Sequence, residues 1–177
     1  FIIGIILIAI WKIIGFKKPI AGLSFRNFNI KPYLIILACM IPLVAFAATQ
    51  SDFLRMYPKY KSITFIAPFT AELWKYRLLY ELSYGSDFVT IELFFRGFLV
   101  LAFCKLFGKD AILPMAAFYC TIHFGKPLLE CISSYFGGII LGVIVYRTQT
   151  IWGGLIAHLG IAWMMEAGGY FGNQLFK

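Results

Sequence analysis

The chain has 177 residues, of which 61% are hydrophobic, 19% aromatic and only 14% charged. About a quarter of the residues in a soluble domain are charged, so this composition excludes a water-soluble globule and makes the bilayer the natural solvent. The formal net charge of +8 comes largely from Lys and Arg flanking apolar runs. There they meet anionic headgroups and help set topology, so they are not a nucleic-acid signal.

A membrane-spanning helix needs about 20 largely apolar residues, and in chain order the candidates are 1–16, 32–49, 88–107, 111–125, 129–147 and 150–170. The first run, FIIGIILIAIWKIIGF, lacks the small-residue cleavage pattern of a signal peptide. With no methionine ahead of Phe1, the chain is expected to be part of a longer protein. Lys17, Lys18, Arg26 and Lys31 then crowd one short connection, a cytoplasmic-side signature, and Pro32 suits the first turn of the next helix. Residues 50–86 mix Asp52, Arg55, Lys59, Lys61, Glu72, Lys75, Arg77 and Glu81 with aromatics. Such a segment is too polar to span and reads as one or two interfacial helices, with Tyr57, Tyr60, Trp74 and Tyr76 at headgroup level. The last four spans are joined by short loops and so pack antiparallel. Gly137, Gly138, Gly142, Gly153, Gly154 and Gly160 would let them approach closely. The expected fold is an all-α integral membrane protein: a compact bundle of about six transmembrane helices plus an interfacial amphipathic segment. Residues 1–86 would form the two N-terminal spans and that segment, and 87–177 a four-helix core. Cys39, Cys104, Cys120 and Cys131 show no CxxC spacing and read as buried thiols.

Three ionisable residues fall inside the apolar runs: Glu92, His123 and His158. Each is costly in hydrocarbon unless paired or facing a polar cavity, which marks a functional site. Arg96 follows Glu92 by four residues, the favourable order for an i, i+4 ion pair. On untilted helices Glu92 lies roughly 6 Å below one face, and His158 roughly 12 Å below the opposite face, from which its helix starts. In a core about 30 Å thick these depths differ by roughly 10–15 Å, which tilt can narrow. A carboxylate and two imidazoles can activate water or hold a metal. No cofactor is firmly indicated; a divalent metal such as zinc on Glu92, His123 and His158 is the candidate, although HExxH spacing is absent. A Cys120 nucleophile and a bis-histidine haem on His123 and His158 are the other readings.

The run Glu92-Leu-Phe-Phe-Arg96-Gly97 resembles the core of the EExxxRG motif of the CPBP family. These are the CAAX-processing and bacteriocin-immunity-type intramembrane proteases, also called Abi proteins. Tyr119 and His123 resemble its second motif, an aromatic four residues before a histidine. His158 resembles the histidine of its HxxxN motif, and the resemblance covers about residues 87–170. It implies a membrane-embedded endopeptidase, a hydrolase acting on a membrane-associated protein or peptide. Glu92 and His123 would then activate water, His158 would donate to the oxyanion, and Arg96 would hold Glu92. A metal-independent glutamate mechanism is favoured for the CAAX-processing branch. Ile91 stands where the family's first glutamate is expected, and Ala162 where its asparagine is. The alternative is therefore a catalytically impaired homologue acting as a membrane binding, immunity or scaffold protein. Expected partners are membrane lipid and the substrate, without nucleic acid, in the bacterial inner membrane.

Overall fold

The computed structural model describes residues 2–16, 20–26 and 28–176. Among them all regular structure is helical and no strand occurs. Lys17 and Lys18 lie outside the described residues. The helices are α1 (Ile2–Ile13), α2 (Lys31–Ala47), the short α3 (Ser51–Met56), α4 (Leu73–Glu92), the single turn α5 (Cys104–Phe107), α6 (Ile112–Thr121), α7 (Leu128–Thr148) and α8 (Trp152–Leu175). A 3-10 stretch, Lys59–Phe69, precedes α4, and a π-helical stretch, Leu93–Val100, continues it. Pro32 occupies the first turn of α2, as its missing N–H favours.

One of these helices, α7, is long and apolar enough by itself to cross a membrane; α2 with Ser51–Phe69 would be a second only if this pair, bent by 94°, is one span. α1 and α6 are apolar but only 12 and 10 residues long.

The amphipathic segment is organised differently from the expectation. α4 begins at Leu73 and runs through position 86 without a break, so Glu92 is its last residue and not an early one. The untilted depth estimate fails for that reason: it started the Glu92 helix about fifteen residues too late. Tyr57 is buried against Phe53 and donates to Glu130 Oε2 at 3.0 Å, while Trp74 and Tyr76 are exposed. Cys39 is also exposed, and the other three cysteines are free and only part-buried.

Small residues set the packing. Along α8, β-carbons added at Gly153, Gly160 and Gly168 would meet Tyr33, Leu37 and Val44 of α2. At Gly153 the overlap is complete, since such an atom would sit 1.7 Å from Tyr33 Cζ. α6 and α7 form an antiparallel pair in which Gly138 abuts Ala116 and Gly142 abuts Met115. α4 runs antiparallel to α8: Gly85 faces Leu159 and Trp163, and Glu92 faces Gly154. The main apolar cluster, with Leu7, Trp11, Phe95, Val100, Met115, Tyr119 and Val145 among its members, joins α1, the π stretch, α6 and α7. With no hydrophobic effect between helices in lipid, such close backbone approach is how a membrane bundle coheres.

Candidate functional site

Glu92 sits where α4 becomes π-helical, and Arg96 lies within the widened turns, whose register is marked by the Leu101 N–H bonding Arg96 O at 3.2 Å. Such π segments recur at functional sites because they redirect side chains within one helix. A β-carbon on Gly97 would lie 2.6 Å from Ala21 O, so only glycine lets the Ile20–Gly22 turn press against the widened helix. The position before Glu92 is turned about 100° around the helix, and Ile91 packs there among the apolar clusters around Phe88 and Val89.

Glu92 and Arg96 are both fully buried. Arg96 Nη1 lies 3.1 Å from Glu92 Oε1, and His158 Nδ1 lies 2.9 Å from the same oxygen. Burying a charge without a partner costs several kcal/mol, of order 3–5 when a buried pair is broken, so these contacts hold the carboxylate in place. The other oxygen, Oε2, has no hydrogen-bond partner among the described residues and points at Gly154, where a β-carbon would be 2.5 Å away. The guanidinium also covers the Tyr119 ring, with Cζ 4.2 Å from its centroid, an arrangement that favours a cation.

Tyr119 connects the two histidines. Its hydroxyl is 2.5 Å from His158 Nε2, so both nitrogens of that imidazole are engaged. Its backbone carbonyl accepts from His123 Nδ1 at 3.0 Å, which leaves His123 Nε2 as the other ring nitrogen. Its ring centroid is 4.7 Å from that of His123 and 5.6 Å from that of His158. His123 itself is held in the turn after α6, where Gly125 takes φ +86°, a conformation natural only to glycine.

The structure thus brings Glu92, Arg96 and His158 into direct contact and attaches His123 to them through Tyr119. Glu92, His123 and His158 are not arranged as a ligand set: both nitrogens of His158 are engaged, and among the described residues no group of three His, Cys, Asp or Glu side chains is placed to hold an ion. Ala162 is buried beside Phe88 and Leu155, with a methyl where the HxxxN pattern has an amide. A cavity of about 330 Å³ lies between α3 and the turn after α6, lined by Asp52, Arg55, Lys126 and Leu128 among others; Glu92, Arg96, His123 and His158 are not in its lining.

Two acidic residues that the sequence reading passed over form a second polar cluster. Glu130 accepts from Lys126 Nζ at 2.8 Å and from Tyr57. Glu166, buried in α8, accepts the Lys59 N–H on both oxygens at 2.9 Å and so caps the Lys59–Phe69 stretch. Glu166 gives the same signal as Glu92, an acid in an apolar run. On α4, burial and then the neighbouring Glu166 push the Glu81 carboxyl up to about 7. Burial, reinforced by Lys126, lowers Lys59.

Residues 86–164 match the family model of the Rce1-like proteins, described as type II CAAX prenyl endopeptidase Rce1-like, in agreement with the CPBP resemblance of the three motifs. That family is membrane-embedded. No curated protein and no solved structure matches the chain.

Proposed function

We propose, with that Rce1-like segment as premise, that the chain is a membrane-embedded endopeptidase of the CAAX-processing kind, set in a bundle of about six spans. Its substrate is a membrane-associated protein or peptide, and its location is the bacterial cytoplasmic membrane, among lipid. The observation that carries the reading is the Arg96–Glu92–His158 constellation inside the matched segment, with Arg96 and Glu92 fully buried. A carboxylate bonded to one nitrogen of an imidazole fixes its tautomer and orientation, which is how catalytic histidines are prepared. His123, with Nδ1–H donated to the Tyr119 carbonyl, has Nε2 left to take a proton from water. His158 acts on the opposite side of the scissile carbonyl, where negative charge develops on oxygen. Glu92 works through His158, and Arg96 holds Glu92 in place.

The second reading, an impaired homologue that binds a peptide, lipid or partner protein, is favoured by Ile91 and Ala162, both packed among apolar side chains. An internally quenched prenylated CAAX peptide, incubated with purified protein in detergent, separates the two. Cleavage that falls roughly 10²- to 10⁴-fold in His123→Ala supports the endopeptidase. A parent that does not cleave, and gains nothing from Ile91→Glu with Ala162→Asn, refutes it in favour of the binder.

A further inference from the structure

We propose that Cys120 and Cys131 form a redox modification site, a thiol pair that closes to a disulfide and thereby displaces His123. Closure itself is independent of the endopeptidase reading above; its effect on cleavage rests on that reading. The two sulfurs lie 3.9 Å apart, and Cys120 Sγ also points at the Cys131 carbonyl, 3.4 Å away. Both residues are part-buried, and among the described residues no other two cysteine sulfurs are in contact. A disulfide needs an S–S distance of about 2.0 Å, so the sulfurs have about 1.9 Å to close. The pair is eleven residues apart in the chain, joining the end of α6 to the start of α7. The Lys126–Glu130 ion pair lies between them and marks this end of the hairpin as its polar end, where a water-soluble oxidant arrives.

The loop so closed contains His123. Cys120 follows Tyr119 directly, and the Tyr119 carbonyl, which holds His123 Nδ1 at 3.0 Å, belongs to the peptide unit that joins them. Drawing Cys120 toward α7 therefore moves the group that fixes the imidazole. The hairpin has no slack further along, since a β-carbon on Gly138 would already lie 3.3 Å from Ala116. Gly125, in the turn, has open space around it. Whatever closure side-chain rotation does not supply is taken up there, beside His123. The electrons need an acceptor, and a small aliphatic disulfide such as oxidised glutathione is one. One cysteine thiolate attacks a sulfur of the oxidant, whose S–S bond breaks as a thiolate leaves. The second cysteine then attacks the mixed disulfide and expels the other half of the oxidant. The two cysteine protons go to the two departing thiolates, so two thiols are oxidised and one disulfide is reduced. A reduced dithiol runs the same sequence backwards.

The test uses the full chain in detergent with Cys39→Ser and Cys104→Ser, so that only this pair reacts. Oxidised glutathione is expected to remove both maleimide-reactive thiols, with a mass loss of two hydrogens and no bound glutathione, and dithiothreitol to restore them. Thiols that persist, or that each carry glutathione, overturn the site. The same count on the unsubstituted chain, with its four free cysteines, covers the case in which that background does not fold. There the disulfide must map to Cys120 and Cys131 by peptide mass, and any other pairing refutes the proposal. Cleavage of the quenched prenylated CAAX peptide should fall on the order of 10²-fold on closure, the usual cost of a misplacement near 1 Å, and recover with dithiothreitol. Closed protein that cleaves as fast as open protein overturns the displacement of His123 and leaves the endopeptidase reading intact. If neither form cleaves, the endopeptidase reading falls, and the displacement is read instead from carbethoxylation of His123 by diethyl pyrocarbonate. A rate that differs between the two forms supports it, and equal rates refute it.

Discussion

Gly154→Ala tests the site without removing any chemical group from it. The added methyl would lie 2.5 Å from Glu92 Oε2, whereas ordinary carbon–oxygen contact needs roughly 0.7 Å more. Glu92 is fully buried and bonded on its other oxygen, so it cannot swing into open space. Moving the carboxylate by that amount away from Gly154 stretches the 2.9 Å contact with His158 Nδ1 to as much as about 3.6 Å, beyond a useful hydrogen bond. Overpacking of this kind costs about 1–3 kcal/mol, which in a chain of this size lowers the unfolding midpoint by roughly 2–12 °C. A misplacement approaching 1 Å in a catalytic group typically costs on the order of 10²-fold in rate. The control is Gly137→Ala, where an added methyl meets nothing within 4 Å and the change should be neutral or stabilising by about 0.5–1 kcal/mol. The assays are thermal unfolding in detergent and cleavage of the quenched peptide. A Gly154→Ala protein that matches Gly137→Ala in both would show that Glu92 does not lie against this glycine.

Three further outcomes are expected. Glu92→Gln should abolish cleavage by roughly 10²- to 10⁴-fold and destabilise the fold by about 3–5 kcal/mol, since Arg96 is left buried without its counter-ion; the double variant Glu92→Gln with Arg96→Met should recover folded yield but not activity. Gly153→Ala should separate α2 from α8, seen as lost folded yield, because no side-chain rearrangement clears a Tyr33 ring 1.7 Å away. Glu81 titrates at about 7 in the fold, above its ordinary 4.5, because burial and Glu166 disfavour its charge. Its neutral form stabilises the protein fully below about pH 4.5 and the contribution is lost as pH rises through 7. The unfolding midpoint should therefore be higher at pH 5.5 than at pH 8, and Glu81→Gln should flatten the difference; an unchanged slope would mean the carboxyl is solvated.

Glu92, Arg96 and His158 were legible in the sequence because an ionisable group in an apolar run has few inexpensive placements. Their mutual contact follows from that cost. Tyr119 was visible only as an aromatic at the right spacing. What its hydroxyl does depends on the tertiary contact that brings it to His158 of α8, and no local pattern encodes that. Glu166 was overlooked although its run, WMMEAGG, carries the same signal as Glu92. The start of α4 was misplaced because Leu73–Ser86 is polar on several faces, and polarity says where a helix avoids lipid, not where it begins. The glycines of α8 announced close approach, while which neighbour fills each gap was a tertiary matter.

Gly153 and Gly154 are adjacent on α8 yet accept different guests, the Tyr33 ring from α2 on one side and the Glu92 carboxylate from α4 on the other. The family match begins at residue 86 and so includes the second guest but not the first. A piece cut to the matched boundaries would carry the chemistry with a vacant socket one residue away from it. Grafting that piece onto another scaffold, or aligning distant relatives by it alone, would miss a wedge supplied by the preceding half of the chain. The seating of α2 on α8, five residues before His158, is set partly by a ring that no motif records.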